Sequence, residues 1–167
     1  MAHHLEEFIT KISVSNYTET LSCYGDTNLE SLSETFTGLT EPFDSQEDAE
    51  TFWKAILLED FGEVEILSFW NNRFDTSQEH KSHINTEHGW DEDDTIHQYT
   101  AEVYSKFNSD VHKPTYFSDN KYSAMEYKPA NIIQGDCLVF PSNIYHRSPV
   151  NTSEEAKIIS VCIFTRI

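Results

Sequence analysis

Apolar positions recur along this chain in two rhythms. Near the start, in LEEFITKI, Leu5, Phe8, Ile9 and Ile12 fall at helical spacing and predict a short amphipathic helix or a helical start. Residues 13–44 are rich in Ser, Thr, Glu, Asn and Gly with scattered apolar positions, a pattern for short strands and loops. After Ser45 the helical rhythm returns: Ala49, Phe52, Trp53, Ile56 and Leu57 form one stripe. Ser45 can cap that helix, acidic residues crowd its first turn, and Gly62 suits its exit. Phe52 and Trp53 are read as core, because large aromatics supply so much of the buried area.

From Glu63 the rhythm shortens. The runs 64–70, 99–107, 114–117, 123–127, 137–140 and 158–164 are apolar or alternating, are separated by turn residues, and each predicts a strand. Many short strands at this spacing predict a β-sandwich or barrel. Alternation in SHINTEH would set His83, Asn85 and Glu87 on one face, which could be the inside of a barrel. Farther on, Gly135 to Asn151 reads as a turn, a buried strand, a bend at Pro141 and Ser142, and a histidine, His146, at the start of another strand. The expected organisation is one domain over 1–167, with 1–62 as a helical N-terminal support region.

Composition narrows the function classes. With 38% hydrophobic and 13% aromatic residues, a core is available and wholesale disorder is not expected. Twenty-nine acidic residues against 11 basic ones give a formal charge of −18, which repels a phosphate backbone, so no nucleic-acid partner is expected. No run of 18 apolar residues predicts a membrane span, and the start shows no charged then apolar leader pattern. Cys23, Cys137 and Cys162 lack CxxC spacing and read as reduced core residues, which fits an intracellular, cytoplasmic protein. The terminal strand could pair with a partner's edge to make an oligomer or be covered in a monomer.

The C-terminal third carries a more specific signal. Gly135-Asp136, then Leu138 through Ser142, then His146, Pro149, Asn151-Thr152-Ser153 and Lys157 resemble the second half of the double-stranded β-helix of Fe(II)/2-oxoglutarate-dependent oxygenases. The likeness is to small prolyl-hydroxylase-like and phage-borne members, so a virus-encoded origin is an expectation from resemblance alone. It implies a mainly β chain with N-terminal helices (α+β), folded as a jelly-roll, cupin-like barrel. It implies Fe(II) and 2-oxoglutarate as cofactors, His146 as the distal iron-binding histidine, and Lys157 as the basic anchor for the far carboxylate of 2-oxoglutarate. Residues 99–104 look like the family's strand just after its first metal motif.

Two histidines and a carboxylate on one side of Fe(II) leave three positions for a bidentate 2-oxo acid and oxygen. A basic group deep in the barrel then fixes the far carboxylate by a charge-assisted bond; Lys in place of the usual Arg loses the bidentate fork and keeps the charge. The family's first motif is H-x-D or H-x-E, and this chain has no H-x-D. His83-Ile84-Asn85 has the spacing, with an amide in place of the acid. His88 with Asp91 is one residue too widely spaced, and Glu87 is a further candidate acid.

Three readings follow. The first is a dioxygenase hydroxylating an unidentified substrate, with His83, Asn85 and His146 as metal ligands and Lys157 as cofactor anchor. The second is a catalytically inactive barrel with a binding or structural role, which the missing acid favours. The third is a cupin-like metalloprotein using His80, His83, His88 and His146 without 2-oxoglutarate, which leaves Lys157 without a task. His3, His4, His80, His97 and His112 otherwise read as surface residues. The acidic run 91–94 reads as a solvated loop whose carboxylates lack the spacing of an EF-hand.

Overall fold

The strands with the longest apolar runs are central because both of their faces are covered. A computed structural model of the protein describes residues 2–14, 36–37, 46–86, 97–122 and 125–167. Its elements are a 3-10 helix (Ala2–Phe8), β1 (Thr10–Ser13), β2 (Phe36–Thr37), α1 (Gln46–Phe61), β3 (Val64–Phe74), β4 (His80–His83), β5 (Gln98–Lys106), β6 (Tyr116–Ser118), β7 (Asp136–Pro141), β8 (Tyr145–Ser148) and β9 (Lys157–Arg166). The larger sheet has the order β1-β7-β5-β9-β3-β2 and the smaller one β4-β8-β6, with every pairing antiparallel. This mostly β architecture of two sheets is consistent with a jelly roll.

Alternation along β9 divides two cores. Cys162 and Phe164 join Val64, Phe69, Ala101, Val103, Cys137 and Val139 under Trp53, Ile56 and Leu57, so α1 lies across the outer face of the larger sheet. Ile159 and Val161 point the other way and meet Trp70, Phe74, Tyr104, Leu138 and Phe140, together with Phe117 and Ile144 from the region of the smaller sheet. The space between the sheets is therefore lined by Trp70, Asn72 and Phe74 of β3, Thr100, Glu102 and Tyr104 of β5, and Lys157, Ile159 and Val161 of β9, which share a face by register. Helix α1 ends with the Gly62 amide donating to the Leu58 carbonyl (2.9 Å), and Gly62 has φ +70, the left-handed conformation that glycine adopts without a Cβ clash.

The helical start is a 3-10 helix over Ala2–Phe8 and does not continue as an amphipathic α-helix through Ile12. Residues 5–12 instead make the end of the 3-10 helix and then β1, whose Ile12 pairs with Cys137. The strand expected over 123–127 is reduced, among the described residues, to a single bridge between Tyr127 and Phe117. Ser45, Cys23 and the acidic run 91–94 lie outside the described residues. Cys137 and Cys162 are free and buried, as a core role requires. Among the described residues, no helix is long and apolar enough to cross a membrane.

Candidate active site

Two short polar strands bring the histidines together. β4 pairs with β8 so that His83 stands opposite His146 and His80 opposite Ser148, with an irregularity between the two pairs. The chain then leaves β4, and the Asn85 amide donates to the Ser142 carbonyl (2.8 Å), tying His83-Ile84-Asn85 to the bend after Pro141. Strand alternation was expected to place His83 and Asn85 on one face through residue 87. The strand ends at His83, and a bend brings Asn85 to the same place by another route.

The side chains converge. The His83 and His146 ring centroids are 4.2 Å apart at 60°. Asn85 Nδ2 donates to Thr100 Oγ1 (3.1 Å) and stands 3.4 Å from His146 Nε2, while Thr100 Oγ1 and Ser142 Oγ share a hydrogen bond of 2.8 Å. Phe140 flanks His146 edge-on at 4.9 Å. His80 stacks on His83 with centroids 3.9 Å apart and planes 22° from parallel.

Backbone carbonyls fix the tautomers. His83 Nδ1 is 2.7 Å from the Lys81 carbonyl and His146 Nδ1 is 2.9 Å from the Ile144 carbonyl. A carbonyl can only accept, so each Nδ1 carries the proton and each Nε2 keeps its lone pair, the arrangement of metal-binding histidines. Protonation of the rings is disfavoured as well. Burial, and then His83, hold His80 down to about 4. Burial lowers His83, and burial followed by the neighbouring His83 holds His146 well below the ordinary range.

This donor set fits a divalent transition metal in kind, with two imidazole nitrogens and an amide oxygen available. A half-turn of the Asn85 amide exchanges Oδ1 for Nδ2, and Thr100 can then donate to it instead of accepting. Adjacent ligands about 2.1 Å from one ion stand about 3 Å apart, close to the observed 3.4 Å between the Asn85 amide and His146 Nε2. The difference from the family pattern is one of charge: Asn85 is neutral where an acid is usual. Among the described residues, no group of three or more His, Cys, Asp or Glu is arranged to hold a metal, and Glu87, His88 and Asp91 lie outside those residues. The face-on stack of His80 on His83 keeps their in-plane lone pairs from meeting at one ion.

Lys157 lies between the sheets, 1% exposed. Its Nζ donates to the Lys113 carbonyl (3.0 Å) and sits 4.8 Å from the centre of the Phe74 ring. Burial lowers its ammonium to about 8, partly offset by the attraction of Glu102. On the same interior, Thr115 Oγ1 donates to Glu102 Oε1 (2.5 Å), Tyr104 Oη donates to Thr115 Oγ1 (2.8 Å), and the Thr115 amide donates to Tyr104 Oη (3.0 Å). Burial drives the Glu102 carboxyl up to about 7, against the Thr115 hydrogen bond and the Lys157 charge. Trp70 Nε1 and Asn72 Oδ1, on the β3 side of this interior, are buried without hydrogen-bond partners, so a polar ligand would find a donor and an acceptor there.

His83, Asn85 and His146 are thus adjacent, and Lys157 faces the same inter-sheet space. Two surface assignments need correction. His80 is partly buried in the site, and His112 is buried because it accepts from the Asn108 amide at Nδ1 (2.8 Å) and meets the Glu155 carbonyl at Nε2 (2.9 Å). Sequence reasoning missed Glu102, Tyr104, Thr115, Trp70 and Asn72; the alternation of Thr100, Glu102 and Tyr104 was the available signal for the first two.

Part of the chain is similar to a known family, and the fold is found in solved structures. Residues 78–159, which carry His80, His83, Asn85, His146 and Lys157, match the family model for phytanoyl-CoA dioxygenase (PhyH). No curated protein matches the sequence. The fold is shared with HygX from Streptomyces hygroscopicus, solved with nickel and 2-oxoglutarate bound (TM-score 0.69, 12% identity, 99% of this chain and 87% of that one). It is shared also with the viral collagen prolyl hydroxylase of Paramecium Bursaria Chlorella virus-1 in its 2-oxoglutarate complex (TM-score 0.59, 12% identity, 96% and 97%). A third is the carbocyclase SnoK from nogalamycin biosynthesis (TM-score 0.57, 10% identity, 99% and 84%). Just under half of the chain is thus similar to a dioxygenase family, and the fold is the one seen in HygX and the viral prolyl hydroxylase, both solved with 2-oxoglutarate bound.

Proposed function

We propose that this protein is a dioxygenase that hydroxylates a substrate at the mouth of the double-stranded β-helix, with its metal held by His83, His146 and the Asn85 amide oxygen. The observation that carries this reading is the pairing of His83 with His146, each with Nδ1 tied to a carbonyl and Nε2 left to coordinate, beside Asn85. When bound, iron with 2-oxoglutarate and O₂ supplies oxidative decarboxylation to succinate and CO₂, with the second oxygen atom entering a C–H bond. The chain's own part is positional. Lys157 would take the far carboxylate of 2-oxoglutarate, Thr100 and Ser142 hold Asn85, and the aromatic wall of Phe117 and Phe140 keeps water from His146.

The amide at position 85 favours a second reading, a barrel that has kept the fold for binding and lost turnover. The two readings separate in a simple assay. Purified protein supplied with Fe(II), ascorbate, O₂ and 2-oxoglutarate is expected to release succinate slowly without a substrate, and His146→Ala to release none above background. Binding of 2-oxoglutarate with no succinate from the wild type would select the second reading.

A further inference from the structure

The interior beside Lys157 contains a carboxylate of its own. Glu102 points between the sheets from the middle of β5, where its cross-strand partners are Leu138 and Val161. It shares one short segment with the anchor lysine: the Thr115 hydroxyl donates to Glu102, and two residues earlier the Lys113 carbonyl accepts from Lys157 Nζ. Tyr104, the next interior residue of β5, bonds Thr115 from beside them. Glu102 and Lys157 do not touch as an ion pair, yet each alters the other's charge state. Lys157 and ionised Glu102 together make an interior of no net charge, a poor host for the far end of a dicarboxylate.

We propose that Glu102 is a specificity-determining residue that competes, when ionised, with the far carboxylate of 2-oxoglutarate for Lys157 and the Thr115 hydroxyl, so that the co-substrate binds together with one proton. This rests on the reading of Lys157 as the anchor. The physical requirement is plain. Two carboxylates close together in a low-dielectric interior cannot both stay ionised beside a single ammonium. The proton goes to Glu102, whose carboxyl burial already holds near 7, and not to 2-oxoglutarate. The other titratable groups facing it are Tyr104 on its own strand and Lys157 from β9; Cys137 of β7, on the opposite face, is pushed up by burial and then by the Glu102 charge, and stays a thiol.

The sign follows. Below pH 7 Glu102 is protonated and only the Lys157 charge is felt. As pH rises through 7 the competing charge appears and affinity falls. With a carboxyl at about 7, the loss from this group between pH 6 and pH 8 is about tenfold. Neutralisation of Lys157 near 8 adds a loss shared by any Glu102 variant.

The experiment is calorimetric titration of Mn(II)-loaded protein with 2-oxoglutarate at pH 6 and pH 8, in two buffers of different ionisation enthalpy, on wild type and Glu102→Gln. The expected result is that at pH 8 the wild type takes up nearly one proton more than the variant, the uptake at Lys157 being common to both, with the variant binding about tenfold more tightly there and equally at pH 6. Wild-type binding without proton uptake, or a variant indistinguishable from it at pH 8, overturns the proposal and leaves the anchor reading standing. Failure of wild type to bind 2-oxoglutarate at either pH overturns both. Should Glu102→Gln not fold, wild-type uptake at pH 7 decides alone, since Lys157 is already largely charged there: about half a proton is expected, and close to none overturns the proposal.

Discussion

Replacing Asn85 by Asp will tighten Mn(II) binding by about a hundredfold, equivalent to about 2.7 kcal/mol. An amide oxygen offers a divalent ion a dipole, whereas a carboxylate offers a full charge at the same distance, and hard cations respond to charge first. The surroundings tolerate the change, because the Thr100 hydroxyl can donate to a carboxylate oxygen as it does to a turned amide. Titration of metal-free protein with Mn(II), following free ion by electron paramagnetic resonance, reads the ratio directly. An affinity equal to or weaker than wild type would mean that residue 85 does not face the ion.

The second large effect is expected at Lys157. Lys157→Met keeps the length of the stem against Phe74 and removes the charge, so 2-oxoglutarate affinity at saturating Mn(II) falls about a hundredfold through loss of a charge-assisted bond in a buried setting. The ligand-free protein should not lose stability. Burial depresses the ammonium to about 8 from 10.5, so below pH 8 the folded state holds a charge it resists, and that penalty diminishes as pH rises toward the unfolded value. Met removes the penalty, and the variant's melting temperature at pH 7 should equal or exceed that of wild type. Retention of wild-type 2-oxoglutarate affinity in this variant would show that the far carboxylate is held elsewhere.

Much of the fold was legible because β7 and β9 are covered on both faces and read as apolar runs whatever their neighbours. Strand order was not legible, and that hid Glu102. In YTAEVYSK, the alternation of Thr100, Glu102 and Tyr104 resembles the wet face of an edge strand, but β5 lies between β7 and β9 and turns this face inward. The early end of the N-terminal helix has a similar cause. Leu5 and Ile12 fit one helical stripe, yet they enter different cores, Leu5 between the sheets and Ile12 on the outer face, which only a chain that changes from 3-10 helix to strand can do.

The site was legible in part. His146 and Lys157 stood in a recognisable motif, and His83 and Asn85 had the spacing of the first metal motif. The strands that join them, HKSH and YHRS, are four residues long and polar, so no hydrophobic rhythm announces them. His80 and His112 were taken for surface because their burial comes from partners distant in sequence, Ser148 across the small sheet and the Glu155 carbonyl.

The central claim is that His83 and His146 form a working metal and 2-oxo-acid site. Its most direct test is the melting temperature of metal-free protein titrated with Mn(II), with and without 2-oxoglutarate, on wild type and His146→Ala. A ligand that binds only the folded state must raise that temperature by mass action. The predicted result is a rise with Mn(II), a further rise with 2-oxoglutarate, and neither in His146→Ala; an unchanged wild-type melting temperature at millimolar Mn(II) and 2-oxoglutarate would contradict it.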